Sequence, residues 1–134
     1  MAETFKFEIV TPERSVGSGE AEEMQIPAKQ GYIGILPGHA PLITELSVGE
    51  ISYRMAGKTE RLSVAWGFAE VLPDKVTVLA ETAERANEID VERARRARDQ
   101  AEERMRTGDD EADVERARAA IRAAEARIEV AEKH

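Results

Sequence analysis

The stretch that decides the fold reads Gly31-Tyr32-Ile33-Gly34-Ile35-Leu36-Pro37-Gly38-His39-Ala40-Pro41-Leu42-Ile43-Thr44-Glu45-Leu46. Its glycines and prolines bracket a short apolar run, so a buried strand is predicted to enter a rigid, sharply turned loop. A phosphate-binding loop is excluded, because no Lys-Ser or Lys-Thr pair follows and Pro37 and Pro41 prevent the helix that such a loop requires. We therefore interpret the stretch as a structural corner.

Composition narrows the class of protein. A chain of 134 residues with 42% hydrophobic content accommodates one modest domain and an appendage. The net charge of -8 and the scarcity of aromatic residues argue against nucleic-acid binding. The absence of cysteine excludes disulfides and thiolate metal sites. No apolar run reaches the roughly 18 residues that span a bilayer, and no signal peptide is evident, so we expect a soluble protein that stays where it is made.

The chain divides near Ala83. Every proline and aromatic residue, and eight of the nine glycines, precede this position. We expect a β domain over residues 1–85 and a helical unit over residues 86–134.

The first part has the periodicity of short strands. Phe5, Phe7 and Ile9 alternate with Lys6 and Glu8, which is typical of a half-buried strand. Further apolar segments surround Val16 and cover 24–26, 32–36, 51–55, 62–72 and 76–79. Turn residues at 56–58 and 73–75 indicate hairpins, so we predict an antiparallel β-sandwich, a flattened barrel of about ten short strands.

One segment is predicted to supply the thickest core layer. Leu62, Val64, Trp66 and Phe68 occupy alternate positions, so all four side chains are expected on one face of a strand. Gly67, between them, is expected to let another backbone approach closely.

The second part predicts a helical hairpin. Alanine, arginine and glutamate dominate from Asn87 onward, with one interruption at Thr107-Gly108-Asp109. Asn87 is expected to cap the first helix, and Asp109 or Asp110 the second. Apolar seams predict close antiparallel packing; they consist of Ala94, Ala97, Ala101 and Met105 on the first helix, and Val114, Ala117, Ile121, Ala124, Ile128 and Ala131 on the second.

Two motifs indicate a family. The string Gly-Ile-Leu-Pro-Gly-His-Ala-Pro-Leu-Ile-Thr, with the leucine and glycine that follow it up to Gly49, resembles the signature of the epsilon subunit of the rotary F-type ATP synthase. The segment Trp66-Gly67-Phe68-Ala69-Glu70-Val71 resembles that family's second motif, Gly-Gly-Phe-x-Glu-Val, with Trp66 replacing the first glycine. The order of sandwich and helical hairpin also matches, so the resemblance covers the whole chain.

The resemblance implies a non-catalytic rotor subunit, peripheral to the cytoplasmic face of the bacterial inner membrane. Its expected partners are the gamma subunit, the ring of c subunits and the alpha/beta catalytic head. The sandwich would bind gamma and the c-ring, coupling proton-driven rotation to ATP synthesis, and the C-terminal helices would inhibit ATP hydrolysis. Tyr32, Gly38 and His39 are the expected partner contacts.

The resemblance also implies a regulatory nucleotide site, with ATP as a ligand rather than a required cofactor. The segment Ile89-Asp90-Val91-Glu92-Arg93-Ala94 matches the family motif Ile/Leu-Asp-x-x-Arg-Ala. Arg93 would contact phosphate, and Asp90 would bind the nucleotide or orient arginines. Where some relatives add an arginine, this chain has Gln100, and Arg98 and Arg127 are its candidate replacements.

Other interpretations stay open beside these. The arginines of the first helix alternate with acidic residues, as on a solvated helix face. His39 and His134 are the only histidines, so we assign no metal site and no catalytic residue, and His39 is expected to bond backbone in a turn. For the whole chain, the alternatives are an unrelated β-sandwich adaptor with a helical interaction tail and a small hydrolase, for which no carboxylate pair stands out.

Overall fold

The computed structural model describes residues 3–133, so His134 lies outside it. A β domain precedes two helices, and a 3₁₀ turn over Ala86–Glu88, the linker turn, connects them. The elements are β1 Phe5–Val10, β2 Ser15–Ala21, β3 Glu23–Ala28, β4 Gly31–Ile35, β5 Leu42–Met55, β6 Lys58–Val71, β7 Lys75–Arg85, α1 Val91–Thr107 and α2 Glu111–Lys133.

The strands pair in the order β2-β1-β7-β6-β5-β3-β4. The two predicted hairpins are confirmed, because β6 pairs antiparallel with both β5 and β7. Ala56 and Gly57 turn the first hairpin with positive φ angles of 52° and 78°, as a two-residue hairpin loop requires. β1 and β7 pair in parallel, a contact between distant parts of the chain that local turn residues do not reveal.

The sheet folds over so that its strands enclose one core. Phe7 on β1 and Tyr53 on β5 are not on neighbouring strands, yet their ring centroids lie 4.5 Å apart. Gly17 of β2 also faces Tyr53 across the interior. The core cluster is drawn entirely from residues of the strands, between Phe5 and Ala83, which confirms the predicted sandwich.

The three long strands change their inward face halfway along. In β6, Leu62 and Val64 are buried before the change, and Ala69 and Val71 after it. Trp66 stands between them with a φ of 53° and takes no part in either ladder. The structure therefore has seven strands rather than the ten or so short ones expected from the sequence, because three of them are long and contribute to the core with both halves.

This change of face overturns one expectation about the core. Phe68 does not join Leu62 and Val64, because its side chain lies beyond Trp66 and is 54% exposed. Trp66 itself is only half-buried. The apolar residues do alternate along β6, but a residue with positive φ between them reverses the side of the sheet on which the later ones lie.

Asp90, and not Asn87, begins the first helix. The Asp90 carboxylate accepts a hydrogen bond from the Arg93 amide at 3.1 Å, whereas Asn87 lies in the linker turn. Asp110 caps α2 by accepting from the Asp113 amide at 2.8 Å, which confirms Asp110 of the two predicted candidates. The helices pack along the predicted seam, where the buried residues are Ala94, Ala101, Ala117, Ala124 and Ile128.

A second apolar face of α2 covers the sandwich. Val130 is 1% exposed and lies about 140° around the helix from Ala117 at 3.6 residues per turn. Half-buried alanines continue this face at positions 119, 123 and 126. Beneath α2, which packs on β5 and β6, the small residues Ser63 and Ala65 are buried on the side of the sheet opposite the core. The hairpin is therefore docked on the sandwich.

Candidate functional site

The nucleotide-type motif lies where the linker turn passes into α1. Its acidic residue, Asp90, is the N-cap of the helix, so its carboxylate fixes the backbone of Arg93. Ala94 is fully buried in the helical seam, and Ile89 is half-buried. Of these four motif positions, Asp90 and Arg93 are exposed and charged, and Arg93 supplies the cationic group that can bind an anion.

Arg93 lines a pocket at the junction of sandwich and hairpin, which we name the arginine pocket. Its volume of about 360 Å³ falls within the range of about 300–1,000 Å³ typical of ligand pockets. Three arginines contribute to it, one each from the β1–β2 turn, α1 and α2. The lining residues are Thr11, Glu13, Arg14, Thr82, Ala83, Glu84, Arg93 and Arg127.

The structure thus brings Arg93 and Arg127 into one pocket. A nucleotide site that uses both residues, as predicted from the sequence, requires this proximity. Arg127 Nε lies 2.6 Å from Glu84 Oε1, but its N–H is not aligned for a hydrogen bond, so the contact is an ion pair. Arg93 has no ion-pair partner among residues 3–133. One guanidinium is therefore balanced by an acid, and the other is available to an anion.

Arg98, the other replacement candidate, does not line this pocket. Its Nε lies 3.8 Å from carboxylate oxygens of Asp99 and Glu102 on the same helix. This is the solvated face predicted as the alternative for the arginine run.

Arg14 is the one arginine of the pocket that the sequence did not indicate. Its two terminal nitrogens donate to the two carboxylate oxygens of Glu88 in the linker turn, at 3.1 and 3.2 Å. The hydrogen bond from Arg14, followed by that from the Arg85 amide, lowers the pKa of Glu88. No sequence motif links these positions, because the contact joins residues 74 apart.

Gly38 and His39 lie in the loop between β4 and β5. Gly38 has a φ of 84°, and its amide donates to the Pro73 carbonyl at 2.8 Å. His39 bonds backbone as predicted, because its amide donates to the Leu36 carbonyl at 3.1 Å and its Nδ1 lies 2.7 Å from the Ala40 carbonyl oxygen. Two loops of the sandwich are thereby joined into one end surface, where Leu36 is 60% exposed.

Tyr32 is not part of that surface. It lies at the opposite end of β4, where its hydroxyl accepts a hydrogen bond from the Glu50 amide at 3.0 Å. Its ring remains 55% exposed. The three predicted partner contacts therefore belong to two separate places on the sandwich.

A further apolar surface lies on the outside of the sandwich. Phe68 and Leu79 are paired neighbours on β6 and β7, and their side chains are 54% and 53% exposed. They border a shallow depression of about 380 Å³ that also includes Val10 and Pro12. Exposed apolar neighbours of this kind are typical of a surface that contacts another protein.

Across residues 3–133, no group of histidine or acidic side chains is arranged to hold a metal ion. Neither helix is both long and apolar enough to cross a membrane.

Family patterns cover both domains in order. The beta-sandwich domain of the ATP synthase delta/epsilon chain matches residues 4–86. The long alpha-helix domain of the same chain matches residues 87–132.

Individual relatives agree with this assignment. The ATP synthase epsilon chain of Koribacter versatilis (strain Ellin345) is 67% identical over 107 residues, which are 80% of this chain and 75% of the relative. The ATP synthase epsilon chain of Syntrophobacter fumaroxidans (strain DSM 10017 / MPOB) is 47% identical over 133 residues, 99% of each chain.

Solved structures show the same fold. A chain of the Euglena gracilis mitochondrial ATP synthase, solved with OSCP, F1 and the c-ring, has a TM-score of 0.82 at 22% identity. The match covers 98% of this chain and 82% of the Euglena chain. A chain of the Tetrahymena thermophila mitochondrial ATP synthase central stalk and c-ring has a TM-score of 0.59 at 8% identity. That match covers 98% of this chain and 96% of the Tetrahymena chain. With both domain patterns in order and full-length bacterial relatives, the chain belongs to the ATP synthase delta/epsilon family, as a central-stalk epsilon subunit.

Proposed function

We propose that this rotor subunit regulates the enzyme through its hairpin: docked on the sandwich it permits ATP hydrolysis, and released toward the alpha/beta head it blocks hydrolysis. ATP in the arginine pocket holds the docked state, and the chain performs no catalysis itself. The observation that carries the proposal is the convergence of three arginines from the sandwich, α1 and α2 on one pocket. The alternative of an unrelated adaptor is wrong, because the chain belongs to the family.

The docked interface is suited to reversible release. The face of α2 toward the sandwich consists mainly of alanines, and the sheet beneath it offers Ser63 and Ala65, so little large apolar surface is exposed on opening. Polar contacts complete it: Arg122 donates to the Ser47 hydroxyl at 3.0 Å, and Lys133 Nζ lies 3.6 Å from Glu50 Oε2. Partly exposed pairs of this kind contribute only about 0.2–1 kcal/mol each.

A polyphosphate is the ligand chemistry that the arginine pocket favours. Guanidinium groups bind phosphate oxygens through paired, charge-assisted hydrogen bonds. Arg93 and Arg127 come from different helices, and they share the pocket with the sandwich only while the hairpin is docked. A ligand that needs this arrangement stabilises it by about 2.7 kcal/mol at a hundredfold excess over its Kd.

The sandwich supplies the attachment to the rotor. We assign gamma to the apolar surface around Phe68 and Leu79, whose exposure in the free subunit supports burial against a partner. The end surface with Gly38 and His39 is assigned to the c-ring. The subunit is then held peripherally, at the cytoplasmic face of the bacterial membrane.

Calorimetric titration with ATP tests the nucleotide site. Arg93→Ala and Arg127→Ala should each weaken binding by about 1.5–3 kcal/mol, because each removes a charge-assisted bond to phosphate. Arg96→Ala is the matched control, since Arg96 is exposed on the same helix and does not line the pocket. It should bind like the wild type. Equal affinities for all four proteins, or no heat at millimolar ATP, would remove nucleotide from the proposal.

A further inference from the structure

The Glu88 carboxylate connects three parts of the molecule. Both of its oxygens accept from Arg14 in the β1–β2 turn, and Oε1 also accepts from the Arg85 amide at 3.1 Å. The linker turn between sandwich and hairpin is thereby tied to a loop 74 residues away. Bidentate arginine–carboxylate pairs fix orientation as well as distance.

Arg14 is itself held in a closed turn. The Thr11 amide donates to the Arg14 carbonyl at 2.9 Å, and the Thr11 hydroxyl oxygen accepts from the amides of Glu13 and Arg14, each at 3.3 Å. The backbone that carries Arg14 is therefore bonded on both sides of the turn. A fixed backbone makes Arg14 an anchor rather than a mobile surface side chain.

The tie lies immediately before the ligand-binding end of α1. Glu88 lies two residues before the Asp90 cap, and Asp90 holds the backbone of Arg93. The linker turn is closed by the Ile89 amide, which donates to the Ala86 carbonyl at 3.4 Å. The position of the linker turn therefore determines the direction in which the Arg93 side chain projects from α1.

We propose that the Arg14–Glu88 pair anchors the linker turn and so positions Arg93 in the arginine pocket. Glu88 is then a positioning residue, which promotes anion binding although it is acidic. The identity of the ligand rests on the proposed nucleotide function, whereas the anchor rests on the hydrogen bonds of Glu88.

Electrostatic repulsion alone predicts the opposite effect of Glu88 on ATP affinity, so the two explanations can be distinguished by experiment. A carboxylate near a phosphate site repels the ligand, so Glu88→Gln should tighten ATP binding if charge alone matters. Anchoring predicts weaker binding by about two- to fivefold, the range that a well-oriented exposed pair provides. Glu92→Gln is the matched control, because Glu92 is an exposed carboxylate beside Arg93 that pairs with Arg95 and does not line the pocket. Its affinity should be unchanged or higher.

Hydrogen exchange without nucleotide tests the anchor independently. In the full chain, Arg14→Gln and Glu88→Gln should each accelerate exchange over residues 85–94 by about two- to fivefold, and the double variant should add nothing further. Amides of the buried strand β7 before Ala83 should be unaffected. Unchanged exchange, or effects that multiply in the double variant, would overturn the anchor. Tighter ATP binding by Glu88→Gln would also overturn it, whereas failure of the wild type to bind ATP, with exchange as expected, would overturn only the nucleotide function.

Discussion

Replacing Gly67 with alanine is expected to destabilise the sandwich by about 3–5 kcal/mol, because backbone strain and overpacking each cost about 1–3 kcal/mol and act together here. Gly67 has a φ of 123°, which side-chain-bearing residues rarely adopt. An added Cβ would overlap the Leu79 carbonyl oxygen and come within 2.9 Å of Ala80 Cα. Both are backbone atoms of β7, so they cannot move without breaking the ladder between β6 and β7.

Urea unfolding measures this effect, with Gly34→Ala as the control. An added Cβ at Gly34 would meet no atom within 4 Å and its φ is not positive, so alanine there should change the free energy of unfolding by no more than about 0.5 kcal/mol. The midpoint for Gly67→Ala should fall far below that of the control. Equal midpoints would show that the close approach of β6 to β7 does not require glycine at position 67.

Replacing Val130 with aspartate is expected to release the hairpin while leaving the sandwich folded. Val130 is 1% exposed on the face of α2 that covers the sheet, and an unpaired charge buried there costs at least about 3 kcal/mol. Undocking α2 avoids that cost. The core cluster contains no residue of either helix, so its stability should be retained.

Hydrogen exchange distinguishes release from general destabilisation. Exchange in α2 should rise by at least about tenfold, the equivalent of 1.4 kcal/mol, while the strands of the core keep their protection. In the assembled ATP synthase, the same variant should inhibit hydrolysis more strongly than the wild type. Ala120→Asp, on the exposed side of α2, controls for the loss of helix propensity. It should neither raise exchange in α2 nor strengthen the inhibition of hydrolysis. A Val130→Asp protein with wild-type exchange in α2 would contradict the docking role of this face.

Periodicity and turn chemistry predicted the elements but not how the long strands are used. The hairpins at Ala56-Gly57 and Pro73-Asp74 and the alanine seam between the helices followed from local patterns. The position of Phe68 did not, because the positive φ of Trp66 is imposed by the packed sheet and no propensity of tryptophan indicates it.

The candidate site was likewise predictable only in part. Arg93 and Arg127 were found through motif and position, but Arg14 reaches the pocket from a turn that is distant in sequence. The second face of α2 was overlooked because it is mostly alanine, which stands out weakly in a helix rich in alanine. The recurrence of small residues at 119, 123, 126 and 130, in steps of four, three and four, was the signal that could have revealed it.

The most direct measurement of the central claim is ATP hydrolysis by the assembled complex with the hairpin tethered to the sandwich. Ser47 and Arg122 are in contact across the docked interface at 3.0 Å, and the natural chain has no cysteine. The Ser47→Cys, Arg122→Cys variant, bridged by a short bis-methanethiosulfonate reagent, should lose inhibition of hydrolysis and regain it when reductant removes the bridge. Each single-cysteine variant, treated identically, should inhibit like the wild type. A confirmed bridge that leaves inhibition unchanged would contradict the account, because the helices would then inhibit without leaving the sandwich.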